Sequence, residues 1–275
     1  MAKKLRPQNP SKVTSLQNPR VKQAVKLRDR RDRDRDQLFV IEGFRGLLRA
    51  FENEFPVEEI FFNPGMFQGQ NEMPLLARFE QRGTRLTEVS AAAFRKMAYR
   101  DRPEGLLGVA GQVHRTLADI TLGENPLLLV AEAIEKPGNL GTMLRTADAT
   151  GVDAFLLCDA CTDLFNPNVV RASTGTLFSV PLAESASGKA ITWMKRRGVQ
   201  IVAATPHTDT RYTDIDMTRP TAVVVGTEQY GLSTVWLDQA DCRVRIPMLG
   251  TADSLNVASA TTLLLYEAVR QRRLG

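Results

Sequence analysis

Three polar, glycine-bearing segments follow apolar runs in the second half of this 275-residue chain. The first, E-K-P-G-N-L-G-T-M-L-R-T-A, places Gly138, Asn139 and Gly141 at the start of a helix with Arg145 one to two turns in. The second, V-V-V-G-T-E-Q-Y-G-L-S, carries Gly226, Glu228 and Gly231; the third, I-P-M-L-G-T-A-D-S-L-N-V-A, carries Ser254 and Asn256. Glycine lets a backbone approach a ligand closely, and a helix start offers unpaired N–H groups and partial positive charge, so Ser254 and Asn256 could hold a carboxylate or phosphate there. If the loops converge, Asn139, Arg145, Glu228, Ser254 and Asn256 form one polar cluster. Each segment read alone is equally a capped helix or a charged surface turn. G-N-L-G is neither a Walker loop nor G-x-G-x-x-G, which argues against nucleotide hydrolysis and dinucleotide binding.

The positioning elements are short apolar runs that alternate with helical periodicity. Strands are expected over residues 127–134, 154–158, 199–204, 221–226 and 242–248, and helices over 139–150, 168–176, 189–197 and 255–270, with Ser254 as the cap of the last. Pro247 lacks a backbone donor and so ends its strand. Continuously apolar strands between helices argue a parallel sheet covered on both faces, whose carboxyl edge is where ligands bind. The first half reads as a smaller layered α/β domain, with strands over 38–43, 57–63, 85–89 and 106–113 and helices over 44–55, 75–83 and 91–97. The expected organisation is a basic arm over 1–35, an α/β domain over 36–114, a linker over 115–126 broken by Gly123 and Pro126, and a second domain over 127–275.

Charge is unevenly spread. Residues 1–40 hold twelve Lys or Arg against four Asp, a net +8, which leaves −3 for the remainder of a chain carrying +5 overall. Such a cluster is the footprint of a nucleic-acid binder, although R-D-R-R-D-R-D-R-D can also pair with itself along a helix. No apolar run approaches membrane-spanning length and the start lacks a secretory pattern, so the expected location is cytoplasmic. Cys158, Cys161 and Cys242 lack a second pair to close a zinc site and are read as buried thiols; no metal is expected. His114 and His207 fall outside the three segments and are read as a strand-end and a loop residue.

Taken in order, N-x-G-x-x-x-R-T-A (139–147), G-T-E-x-x-G-L-S (226–233) and I-P-M-x-G-x-x-x-S-L-N-V-A (246–258) resemble the three motifs of the SpoU/TrmH class of SPOUT RNA methyltransferases. N-P-N-V-V-R-A-S-T-G-T (166–176) looks like that family's intermediate segment. The resemblance implies a trefoil-knotted C-terminal domain binding S-adenosylmethionine through Thr205, Gly226, Gly231, Ile246, Met248 and Leu255. It also implies a homodimer in which Arg145 acts across the subunit interface. Q-N-P-R-V-K and F-V-I-E-G resemble the opening of the small RNA-binding domain, akin to kink-turn-binding ribosomal proteins, that many of these enzymes carry.

The implied reaction is ribose 2′-O-methylation of a structured RNA, most often ribosomal. An in-line methyl displacement needs alignment and removal of one hydroxyl proton, not a metal. Catalysis would fall to Arg145, Asn139, Glu228, Ser254 and Asn256. Transfer to tRNA, transfer to a base, a non-catalytic RNA-binding or ribosome-assembly role, and a different adenosine-cofactor activity are the competing readings.

Overall fold

The computed structural model describes residues 12–274, which form two compact units dividing between Gln112 and Val113. Residues 1–11 of the expected basic arm and Gly275 lie outside the described residues.

The first unit begins with α1 (Pro19–Lys26) and α2 (Arg30–Asp36), followed by β1 (Leu38–Glu42), α3 (Phe44–Glu52), β2 (Val57–Phe62), α4 (Glu72–Gln81), β3 (Arg85–Glu88), α5 (Ala91–Met97) and β4 (Leu106–Gly111). Its sheet runs β1-β4-β2-β3, with β4 antiparallel to both neighbours and β2 parallel to β3. Side chains alternate across β4, so Leu107 and Val109 join Val21, Ala24, Phe94 and Met97 of α1 and α5 on one face. Gly108 points the other way and makes room for α3: a Cβ there would come within 2.7 Å of Leu47 Cδ2.

The described part of the arm is therefore not a separate element. Asn18 caps α1 by accepting from the Arg20 N–H at 2.9 Å, and Val21, Ala24 and Leu27 are buried in this unit's core. Arg20 pairs with buried Glu59 at 2.5 Å, and Arg33 is buried and donates to the carbonyl of Leu27 at 2.9 Å. The apolar spacing 21, 24, 27 outweighs the charge run around it. Lys22, Lys26, Arg30 and Arg31 stay exposed.

The second unit contains β5 (Leu127–Glu132), α6 (Pro137–Thr150), β6 (Ala154–Cys158), α7 (Pro167–Ser173), β7 (Leu182–Ser185), α8 (Ser187–Lys195), β8 (Gln200–Ala204), β9 (Thr221–Val225), α9 (Thr234–Gln239), β10 (Cys242–Val244) and α10 (Val257–Leu274). Six strands in the order β10-β8-β9-β5-β6-β7 are all parallel, and β5, β6 and β9 are buried at every position. α8 and α9 cover one face with Ala190, Ile191, Met194 and Trp236. On α6 and α10, Thr146 and Thr262 share a hydrogen bond of 2.9 Å. Near the end of α10, Arg272 donates to the carbonyls of Asn125 and Pro126, which precede β5, and of Met217 and Arg219, which precede β9.

Residues 115–126 are not a free linker. Thr116 and Asp119 form a reciprocal capping box, Ile120 is buried, and Leu117 and Leu122 pack against the same core as Trp236. The Gly and Pro that suggested a break follow an apolar 117, 120, 122 pattern that docks. β7 and α9 are elements that periodicity did not reveal, both being too short to show a repeat. Only Cys158 of the three thiols is buried; Cys161 is exposed and Cys242 intermediate. Burial pushes the Cys158 thiol up to about 12, so it is inert as a nucleophile.

Gly141 sets how closely α6 meets α7. A Cβ there would lie 2.5 Å from Ala172 Cβ and 2.9 Å from both Ser173 N and Val169 O. Two of these atoms are backbone and cannot rotate away. Gly141→Ala should lower unfolding free energy by about 1–3 kcal/mol, read by denaturant titration.

Candidate active site

The site lies where β5 and β9 run side by side, with Ala131 in register with Val225. Beyond β9 the chain turns at once. Thr227 and Gly231 pair with each other, N–H to carbonyl, at 3.0 and 3.1 Å, and the Tyr230 N–H donates to Thr227 Oγ1 at 2.9 Å. Gly226 must lack a side chain here, because a Cβ would sit 2.2 Å from Gly231 O, and Gly231 itself has φ +68°. The turn directs Glu228 toward the start of α6 and the start of α10.

Three residues meet there. Asn139 donates through Nδ2 to Glu228 Oε1 at 2.9 Å, and Asn256 donates through Nδ2 to the same oxygen at 2.6 Å and to Asn139 Oδ1 at 3.1 Å. Lys136, at the mouth of α6, pairs with Glu228 Oε2. All three glycine-bearing segments thus contribute to one polar junction. Its members are accessible rather than sealed.

Asn256, not Ser254, caps α10. Its Oδ1 accepts from Ala258 N at 3.0 Å and Ser259 N at 3.4 Å, so the helix begins at Val257, two residues later than the periodicity suggested. Ser254 is exposed in the preceding loop. Both Ser and Asn are good caps, and sequence alone does not choose between them.

Arg145 is exposed on α6 and makes no side-chain hydrogen bond or ion pair among the described residues. Six residues separate it from Asn139, about 9 Å along the helix and about 240° around it. The shorter way round, that is about 120°, so the two residues stand on different sides of α6.

The remaining sequence candidates line the neighbouring strand ends. Thr205 follows β8, is buried, and donates its N–H to the Val244 carbonyl at 2.9 Å. Ile246 and Met248 follow β10 and are partly exposed, and Leu255 is 37% exposed beside Asn256. A folded-back glycine turn bordered by incompletely buried apolar side chains is the form of a cradle for a flat, largely apolar group. Among the described residues no group of His, Cys, Asp and Glu is arranged to hold a metal, and no helix is long and apolar enough to cross a membrane.

Sequence reasoning overlooked Lys136 and two residues tied across the strand ends: Ser233 donates to Glu132 Oε2 through N at 2.8 Å and to Oε1 through Oγ at 2.6 Å. A lysine at a helix mouth opposes the helix dipole, and Glu132 closes an otherwise apolar run, so each was a visible irregularity.

The parallel sheet, the switch in strand order at β5 and β9, and the polar junction beyond it define an α/β ligand-binding edge. Residues 126–266 match the SpoU rRNA Methylase family, and residues 18–108 match the MRM3-like substrate binding domain. The chain belongs to the SpoU rRNA methylase family. It is 34% identical to a 23S rRNA (uridine(2479)-2'-O)-methyltransferase of Streptomyces viridochromogenes over 90% of this chain and 88% of that one. With the 23S rRNA (guanosine(2553)-2'-O)-methyltransferase RlmP of Bacillus subtilis it shares 30% identity over 92% and 97% of the two chains. The crystal structure of an AdoMet-bound rRNA methyltransferase from Sinorhizobium meliloti superposes with a TM-score of 0.87 at 33% identity, covering 96% and 98%.

Glu228 is held below the usual carboxylate range, first by the Lys136 hydrogen bond, then by Asn139, with partial burial opposing. A carboxyl that titrates lower when folded contributes stability above its unfolded range, and that contribution disappears as pH falls through the lowered value. Lys136→Met should move the Glu228 titration upward, as followed by carbon NMR of labelled glutamate. An unchanged titration would show that Lys136 does not set it.

Proposed function

We propose that this chain transfers the methyl group of S-adenosylmethionine to a ribose 2′-hydroxyl in 23S-type ribosomal RNA. The observation that carries the reading is the Asn139–Glu228–Asn256 junction, in which three separate motif segments of a SpoU chain meet at one strand edge. The ribosomal substrate supports a cytoplasmic site of action.

The cofactor, when bound, supplies a methyl group activated on a sulfonium. Thr205, Gly226, Gly231, Ile246, Met248 and Leu255 hold it, the glycine turn through backbone and the others through apolar contact. Because Glu228 stays ionised and is already occupied by Lys136, Asn139 and Asn256, its role is orientation. Asn139 and Asn256 align the target ribose, and the exposed Ser254 meets the adjoining phosphate.

Arg145 completes the site from a second copy of the chain. Its exposed place on another side of α6 from Asn139 supports this arrangement, as do Leu263 and Tyr266, which leave large apolar surface exposed on α10 at 41% and 49%. A guanidinium is already protonated and only donates hydrogen bonds, so it positions the hydroxyl and lowers its pKa, and the proton passes to solvent water. The knot of the C-terminal region belongs to the same proposal. The first unit, whose residues match a substrate-binding domain, presents its exposed lysines and arginines to RNA phosphates.

Transfer of labelled methyl to ribosomal RNA, followed by nuclease and alkali digestion, tests the reading. Label is expected in alkali-resistant dinucleotides of rRNA. Label confined to tRNA, label on a base, or no transfer would each overturn it. Arg145→Ala should lower kcat/KM by about 2–4 kcal/mol of transition-state stabilisation while leaving cofactor affinity unchanged. Mixing Arg145→Ala with Asn139→Ala protein should restore part of the activity if the two residues act from different subunits.

A further inference from the structure

We infer that Glu132 and Ser233 form a positioning clamp that shapes the cofactor turn, a role that rests on the reading above. Glu132 ends β5 and is 6% exposed, yet it makes no ion pair among the described residues. Both of its oxygens are taken by one residue, Ser233, 101 positions further along the chain. Burying a carboxylate without a counter-charge is costly, and such departures from ordinary core composition concentrate where function requires them.

The clamp acts on a short stretch. The turn leaves β9 at Gly226 and returns at Ser233, so its first end is fixed by the central sheet and its second by Glu132. Because Ala131 and Val225 are register partners on adjacent strands, Glu132 stands beside Gly226. The turn therefore starts and finishes over the same pair of strands. Trp236, three residues beyond Ser233, is fully buried and donates to Ser187 Oγ at 2.8 Å, which holds α9 behind the clamp. With both ends set, the fold-back of Gly231 onto Gly226 has a single geometry.

Binding of S-adenosylmethionine by full-length variants, measured by calorimetry, tests the clamp together with steady-state kinetics on rRNA. Glu132→Gln can keep both bonds, its carbonyl accepting from the Ser233 N–H and its amide donating to Ser233 Oγ, and should bind cofactor within about threefold of the unsubstituted chain. Glu132→Leu keeps the size and loses both bonds; it should weaken cofactor binding about tenfold or more. Ser233→Ala, the milder change, should fall between them and serves if the leucine variant does not fold. The losses should appear in KM for the cofactor, with kcat at saturating cofactor and affinity for RNA within about threefold of the unsubstituted chain.

Folded leucine or alanine variants that bind cofactor normally and only melt earlier would reduce the clamp to a structural contact and overturn the inference. Equal loss of cofactor and RNA affinity would overturn it too. Failure of the unsubstituted chain to bind cofactor would instead overturn the functional reading on which it rests.

Discussion

A single carboxylate gathers the polar junction at the carboxyl edge of the sheet. Glu228 receives Asn139 from the start of α6, Asn256 from the start of α10 and Lys136 from the residue before α6, so segments as far apart as the 117 positions between Asn139 and Asn256 share one anchor. Side chains of this kind do not hold one another in water, where each pair would contribute little. They converge because the sheet has already placed β5 and β9 next to each other and the glycine turn has no room for another path. Backbone geometry comes first, and the polar junction then selects one arrangement of it.

This hierarchy explains the division of labour in the second unit. The core on the α8 and α9 side is almost entirely apolar, whereas the polar junction lies beyond the carboxyl ends of β5 and β9, in the turn after β9 and at the starts of α6 and α10. Glu132 is the exception, a carboxylate carried down to the edge of the core. In the first unit the same logic appears in a different guise: several basic residues are consumed by folding, Arg20 on Glu59 and Arg33 on backbone carbonyls, and others remain on the surface.

Much of the fold was legible because its signals are local. The runs at 127–131, 154–158 and 222–225 are continuously apolar, which is what strands covered on both faces require, and Ser90 caps the helix that follows it. The rest depended on contacts that no window of sequence contains. Leu182–Ser185 becomes a strand only because β6 offers it an edge, and residues 115–126 read as a break until Ile120 finds the sheet. The candidate residues Asn139, Glu228 and Asn256 were found by residue type and order. Lys136 and the Glu132–Ser233 pair were not, since a lone charge beside a strand carries no periodicity. Ser254 was assigned the cap that Asn256 makes, because one sequence cannot say on which residue a helix will start.

The carbonyls that Arg272 collects lie before β5 and before β9, at the end of these strands remote from the polar junction. The helix carrying it is fastened at its other end through Asn256, so α10 spans the two innermost strands and is secured at both of their termini. Partial opening of the sheet would have to break both fastenings at once. Amide protons of β5 and β9 therefore exchange with solvent only when the whole unit unfolds, and their exchange rates report its global stability directly.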